Sequence, residues 1–365
     1  MDRRLPNSSN HANDAAVFRI LDANLNRARE ALRTIEDFAR FIRNDAVAAT
    51  QCKRARHRLT LFATKFERDL LQQRDTVGDV GTTITTTAEA QRLSTDAVAK
   101  AALGRLTEAL RCIEEYGKIV SPTDATDVEQ IRYGCYTLGQ RLFERHKLLE
   151  RIRTSHLHVL LTSSLCRNDW QATAAATLQG GADVIQLREK EIGDAEVLKR
   201  AQWLRELTHK HNALLIVNDR ADIARLVDAD GVHLGQDDLP PTAARQIVGP
   251  LKLIGVSTHS VAEATNARAQ AADYLGVGTM FASATKPNVQ VGGPTLLCEV
   301  AAAVANMPLV AIGGITAANI DQLAAIAPDR TAVAVSQAIL GAADVEAATR
   351  TIVDAITSRA AAAQA

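Results

Sequence analysis

No apolar run in this 365-residue sequence approaches the ~20 residues that a membrane-spanning helix needs. Leu214-Leu215-Ile216-Val217, for instance, stops at Asn218. Residues 1–14 are polar and lack the apolar core of a secretory signal, so they read as a disordered lead-in. No C-x-x-C pair occurs among Cys52, Cys112, Cys135, Cys166 and Cys298. That argues against a zinc ribbon or a disulfide scaffold and for reduced thiols in a cytoplasmic protein. Neither sign of charge is in excess, since 42 Lys+Arg balance 42 Asp+Glu. Such a chain has no global attraction for nucleic acid or an anionic membrane. With 47% hydrophobic residues the chain can bury a substantial core, and its length suits two domains.

The first domain, 15–153, reads as all-helical. Ile20, Leu21, Leu25, Ala28, Leu32, Ile35, Phe38, Ala39 and Ile42 recur at steps of three and four, as one helix face requires. Gly78, Gly81 and the stretch 82–87 mark a connection. Segments 27–40 and 105–118 share seven identities in fourteen positions at an offset of 78 residues. A duplicated helical hairpin follows, giving about four helices in a bundle. Glu30, Arg33, Glu36, Asp37 and Arg40 have the spacing of solvated helix ion pairs, the simpler reading beside a polar active-site stripe.

From His156 the pattern changes. Short β-rich runs at 157–162, 184–187, 214–218, 231–234, 253–257, 274–277, 309–312 and 332–335 alternate with helix-like stretches such as 195–211, 261–271 and 317–326. Eight alternations, with no G-x-G-x-x-G after the first strand, favour a (β/α)8 TIM barrel over 154–365 rather than a doubly wound sheet. The predicted fold is therefore α/β, a TIM barrel preceded by an all-α domain.

In such a barrel the chemistry sits where strands end. The second strand ends Gln186-Leu187-Arg188-Glu189-Lys190, and alternation sends Gln186, Arg188 and Lys190 to one side. Two cations and an amide at one point suit a polyphosphate, although a charged strand end is as readily a solvated one. Asp219 and Asp238, after strands three and four, either cap the helices that follow or bind Mg2+ bridging a diphosphate. Having both beside Arg188 and Lys190 favours the metal. His233 lies inside strand four, where a core histidine is the simpler reading. Phe281 to Pro287 reads as an anion-binding lid, with hydroxyls and Lys286. Gly313-Gly314 and Ser336-Gln337 fall on loops seven and eight, the recurrent phosphate site of barrels. Two anion sites point to a reaction that joins two phosphorylated substrates.

The series Q-L-R-E-K, N-D-R, G-V-H-L-G-Q-D-D, G-V-S-T-H, A-T-K and G-G-I-T closely resembles the thiamine phosphate synthases, from His156 to about Leu340. The helical domain is similar to the extension of cyanobacterial-type members. The resemblance implies condensation of an aminopyrimidine methyl diphosphate with a carboxythiazole ethyl phosphate, giving thiamine phosphate, diphosphate and CO2. It implies that Gln186, Leu187, Arg188, Glu189, Lys190, Asn218, Ser257 and Lys286 bind the pyrimidine diphosphate. Arg188, Lys190, Ser257 and Lys286 are the catalytic candidates within that set. Asp219 and Asp238 would ligate one Mg2+ per active site. Ser283, Ala284, Thr285, Gly314, Ser336 and Gln337 would hold the thiazole phosphate. The family's usual T-D after strand one is Thr162-Ser163 here, T-x-T-K is Ser283-Ala284-Thr285-Lys286, and Gln337 stands where Ser is common. A related barrel, the thiazole tautomerase, is the alternative, with His259 at its acid/base position. The helical domain is left a docking or homo-oligomerisation role.

Overall fold

A computed structural model describes residues 8–74, 92–282, 291–323, 326 and 329–362. The chain divides into two compact units, 1–146 and 147–365. In the first, α1 (Ser8–Asp37), α2 (Ala46–Thr64), α3 (Glu67–Gln72), α4 (Thr95–Val120) and α5 (Pro122–Gly139) enclose one apolar core. α1 packs on α2 and α4, and α4 packs on α5. α1 runs from Ser8, so residues 8–14, expected within the disordered lead-in, are helical. No proline or glycine interrupts 8–14, so nothing there breaks a helix. Gly78, Gly81 and the stretch 82–87 lie outside the described residues.

The duplication has a structural counterpart that corrects the solvated-stripe expectation at Glu36 alone, since Arg33 and Arg40 pair with Asp37 on the helix surface as expected. Glu36 and Glu114, equivalent in the two repeats, are buried rather than solvated. Each meets an arginine on the next helix of its hairpin, Glu36 with Arg56 at 2.8 Å and Glu114 with Arg132 at 2.8 Å. A carboxylate held among apolar neighbours needs such a partner. All five cysteines are free, and burial pushes the thiols of Cys52 and Cys135 up to about 12, which leaves them unreactive.

The second unit is a closed barrel of eight parallel strands in sequence order. They are β1 (Leu157–Leu161), β2 (Val184–Leu187), β3 (Leu214–Asn218), β4 (Gly231–Leu234), β5 (Leu253–Thr258), β6 (Tyr274–Gly278), β7 (Leu309–Ile312) and β8 (Thr331–Val335). Outside them lie α7 (Trp170–Gln179), α8 (Asp194–Lys210), α9 (Ala221–Leu226), α10 (Pro241–Val248), α11 (Val261–Ala269) and α12 (Gly293–Ala303), followed after β8 by α13 (Gln337–Leu340) and α14 (Val345–Ala362). The helix expected over 317–326 is represented among the described residues by a 3-10 turn, Ile320–Gln322. There the Asn319 side chain accepts from Thr316 N–H and donates to the Gly314 carbonyl, local bonds that compete with a helical ladder.

One more helix, α6 (His146–Thr154), was counted with the helical domain because its periodicity matches. It falls almost wholly in the barrel unit, where Leu148, Leu149 and Ile152 pack with Val184, Leu214 and Leu253 at the strands' N-terminal ends. Burying that apolar stripe moves the boundary from 153/154 to 146/147. Among the described residues no helix is long and apolar enough to cross a membrane.

His158 sits deep in this lower layer. Ser155 Oγ donates to the Ile152 carbonyl at 2.7 Å and accepts from His158 Nε2 at 2.8 Å. Burial, with a smaller contribution from His233, lowers the His158 pKa to about 3. The unfolded chain therefore binds the extra proton between about pH 6.5 and the folded value, so stability rises with pH in that window. Urea unfolding should show a loss approaching about 1.4 kcal/mol per unit as pH drops below ~6.5. His158→Gln, which does not titrate, should have a flatter profile. Equal slopes in both proteins would assign the effect elsewhere.

Candidate active site

Alternation along the strands decides which side chains reach the barrel interior. Val184 and Gln186 of β2 face inward, whereas Ile185 and Leu187 belong to the apolar layer between strands and helices. Leu187 can therefore meet a ligand only through its backbone. Glu189 is similarly engaged. Its carboxylate accepts from Ser163 N–H at 3.0 Å and from Arg200 at 2.8 Å, tying the end of β2 to the β1 loop and α8. Arg188 and Lys190 remain available, the latter 3.2 Å from an Asp219 carboxylate oxygen.

Asp219 lies immediately beyond β3 with φ +62°, a left-handed conformation that aspartate tolerates better than most residues. Arg220 N–H donates to the Asn218 carbonyl at 2.7 Å across it, and Asp219 N–H donates to the His233 carbonyl at 2.8 Å. This is a tight three-residue γ-turn, rare and strained, of the kind that clusters at functional sites. Asp238 closes the loop after β4, where one oxygen accepts from Gly235 N–H at 2.6 Å.

Capping does not account for either carboxylate. α9 has Arg220 at its N-cap and α10 has Pro240, neither with a side-chain cap bond. Instead Asp238 faces Asp219 closely enough to oppose its ionisation. Burial, and then the facing Asp238, hold the Asp219 carboxyl above the usual carboxylate range against the pull of Lys190. Two facing carboxylates form an oxygen-only pair that a hard cation would neutralise. Among the described residues no group of three or more His, Cys, Asp or Glu is gathered for a metal. A cation at this pair would complete its shell from water and substrate oxygens, the habit of Mg2+.

Beside this pair a cavity of about 300 Å³ opens over the C-terminal ends of β5 to β8. Of the predicted residues, Arg188, Ser257, Gly314, Ser336 and Gln337 line it; Gln186, Lys190, Asn218, Asp219 and Asp238 are outside its lining. Gly314 has φ +63°, and a Cβ there would lie 2.6 Å from the carbonyls of Phe281 and Ala282, so only glycine fits this loop. Ser336 Oγ donates to the Leu160 carbonyl at 3.0 Å, which leaves backbone as that loop's contribution to an anion. Ser283, Ala284, Thr285 and Lys286 lie outside the described residues.

Two histidines flank the cavity. His259 lines it and pairs through Nδ1 with Glu263 at 3.1 Å. His233, inside the barrel, reaches Ser257 Oγ at 3.0 Å and the Tyr274 hydroxyl at 3.1 Å. Tyr274 is a site residue that strand reading passed over as an ordinary first residue of β6. Its signal is Gly255, a glycine inside the neighbouring strand opposite it.

Comparison with known proteins agrees with this geometry. A profile of the family described as thiamine monophosphate synthase matches residues 157–339, and one of the ThiD2 family matches 19–141. A thiamine-phosphate synthase of Synechocystis sp. is 44% identical over 331 residues, 90% of this chain and 93% of that protein. Another from Rhodopirellula baltica is 39% identical, covering 88% of each. Among solved structures, the thiamine phosphate pyrophosphorylase of Pyrococcus furiosus superposes with a TM-score of 0.52 at 35% identity, over 57% of this chain and 98% of that one. With the barrel, its strand-end cations and the carboxylate pair all in the matched span, and likeness extending through the helical unit, the chain belongs to the thiamine-phosphate synthase family.

Proposed function

We propose that this chain joins 4-amino-2-methyl-5-(diphosphooxymethyl)pyrimidine to carboxythiazole ethyl phosphate, releasing diphosphate and CO2 and forming thiamine phosphate. The observation that carries the reading is the strained, uncapped Asp219 facing Asp238, with Lys190 beside them and a cavity adjoining through Arg188. Asp219 and Asp238 would hold Mg2+, which when bound neutralises diphosphate oxygens. Gln186, Arg188, Lys190 and Asn218 grip the same diphosphate, and Lys286 adds a charge from the lid segment. Gly314 and the backbone at Ser336-Gln337, with Ser283, Ala284 and Thr285, hold the thiazole phosphate.

The chemistry asks for charge neutralisation and alignment more than for a strong base. The methylene C–O bond breaks with its electron pair leaving on the diphosphate. The electron-rich aminopyrimidine carries the resulting cation until the thiazole nitrogen forms the new C–N bond; CO2 then leaves, the electron pair of its C–C bond staying on the thiazolium carbon, which takes up a proton. Arg188, Lys190 and Lys286 meet charge that grows as the bond breaks, and such interactions lower the barrier.

A second reading, thiazole tautomerisation, draws on the His259–Glu263 pair at the cavity. Supplying the substrates separately and together separates the two. Thiamine phosphate should accumulate only with both present, and an isomerised thiazole without coupled product would overturn the synthase reading. For the helical unit the proposed role is self-association or docking, which sedimentation of the whole chain measures.

A further inference from the structure

Inside the barrel, below the cavity, three side chains form a hydrogen-bonded row. The Tyr274 hydroxyl lies 3.1 Å from His233 Nδ1, and His233 Nε2 lies 3.0 Å from Ser257 Oγ. Tyr274 and His233 are buried, whereas Ser257 lines the cavity. The row crosses three neighbouring strands, β4, β5 and β6, and Gly255 leaves room for it. A Cβ on Gly255 would stand 2.5 Å from His233 Nδ1 and 2.5 Å from the Tyr274 hydroxyl.

Proton counting gives the row a direction. A phenol has one proton to donate, and among the described residues the Tyr274 hydroxyl bonds to His233. If Nδ1 carried the imidazole proton, Tyr274 could only accept there, leaving its own proton buried without an acceptor, which folded proteins avoid. Tyr274 therefore donates to Nδ1, and the imidazole proton sits on Nε2. That N–H donates to Ser257 Oγ. With an acceptor site of its oxygen filled, Ser257 has its own O–H to offer the cavity.

We infer that Tyr274 and His233 are positioning residues that fix Ser257 as a hydrogen-bond donor, aimed at an oxygen of the departing diphosphate. The inference rests on the proposed reading that Ser257 contacts the pyrimidine substrate. The leaving group is the acceptor that chemistry favours. Its oxygens gain negative charge as the C–O bond breaks, so a donor there stabilises the transition state. Donation to a ring nitrogen would withdraw electrons from the developing cation and slow the same step.

Two measurements test this. Nitrogen-15 NMR of the histidines in the whole, unsubstituted chain should show His233 protonated at Nε2 and bare at Nδ1. In a kinetic cycle, Ser257→Ala should lower kcat by about 10²-fold, as for loss of an oxyanion donor. Tyr274→Phe should lower kcat by about tenfold, the worth of one hydrogen bond, with KM for the pyrimidine diphosphate within about twofold. Because Tyr274 acts through Ser257, the double variant should be no worse than Ser257→Ala. Multiplying losses, or a proton on Nδ1, would overturn the inference while leaving Ser257 as a substrate contact. Full turnover in Ser257→Ala would instead strike the underlying reading, and the inference with it. The NMR measurement decides even if Tyr274→Phe fails to fold.

Discussion

Replacing Asp219 or Asp238 by asparagine should lower turnover by about 10²–10³-fold at ordinary Mg2+, several kcal/mol of charge stabilisation lost at the diphosphate. Asparagine nearly preserves size and still accepts a hydrogen bond, so the Gly235 N–H contact of Asp238 survives. What disappears is one anionic ligand for a hard cation. The double variant should be little worse than the more damaged single one, because two ligands of one ion act as a unit. Stability should move the opposite way. Burial and Asp238 raise the Asp219 pKa above its unfolded value, so without metal its ionised form costs stability at neutral pH. Asp219→Asn should then be at least as stable as the parent in the absence of metal. As pH falls toward the raised pKa, the parent should need more Mg2+ for half-maximal turnover. Titration of rate against Mg2+ at two pH values, with thermal melts in chelator, reads all three effects. Full activity of either single variant at low Mg2+ would remove the pair from the metal role.

Gly255→Ala should produce a large loss of stability from a single methyl group. The new Cβ would meet His233 Nδ1 and the Tyr274 hydroxyl, both at 2.5 Å, and it would press on the Tyr274 ring. Tyr274 is only 1% exposed. Overpacking of this kind costs typically 1–3 kcal/mol and occasionally more. For a barrel of this size about 3 kcal/mol corresponds to a melting temperature lower by roughly 6–12 °C. Gly104→Ala, at a helical position with nothing within 4 Å of the new Cβ, supplies the control and should be neutral or slightly stabilising. Equal melting temperatures for Gly255→Ala and the parent would mean that Tyr274 can leave the row.

The barrel was legible because each strand is a short apolar run bounded by turn residues, and the eight runs fall within one residue of the observed strands. The strand-end cations and both aspartates stood out for the same reason, as polar residues where apolar strands stop. Less could be read where neighbours decide. Whether Glu36 is solvated depends on Arg56 of another helix, and its spacing on α1 fits either outcome. That the Glu189 carboxylate meets Arg200 and Ser163 N–H depends on α8 and the β1 loop, which its place at a strand end does not reveal. α6 carries helical periodicity that is indifferent to whether its stripe meets a bundle or a barrel floor. Tyr274 acquires its role from a partner 41 residues away, a separation that no local pattern spans.

The most direct measurement follows diphosphate and thiamine phosphate together in one reaction, with both substrates and Mg2+ present and with each omitted in turn. The expected result is one diphosphate released for each thiamine phosphate formed, and no thiamine phosphate when either substrate is missing. Consumption or isomerisation of the thiazole phosphate with no diphosphate released would contradict the synthase reading of this barrel.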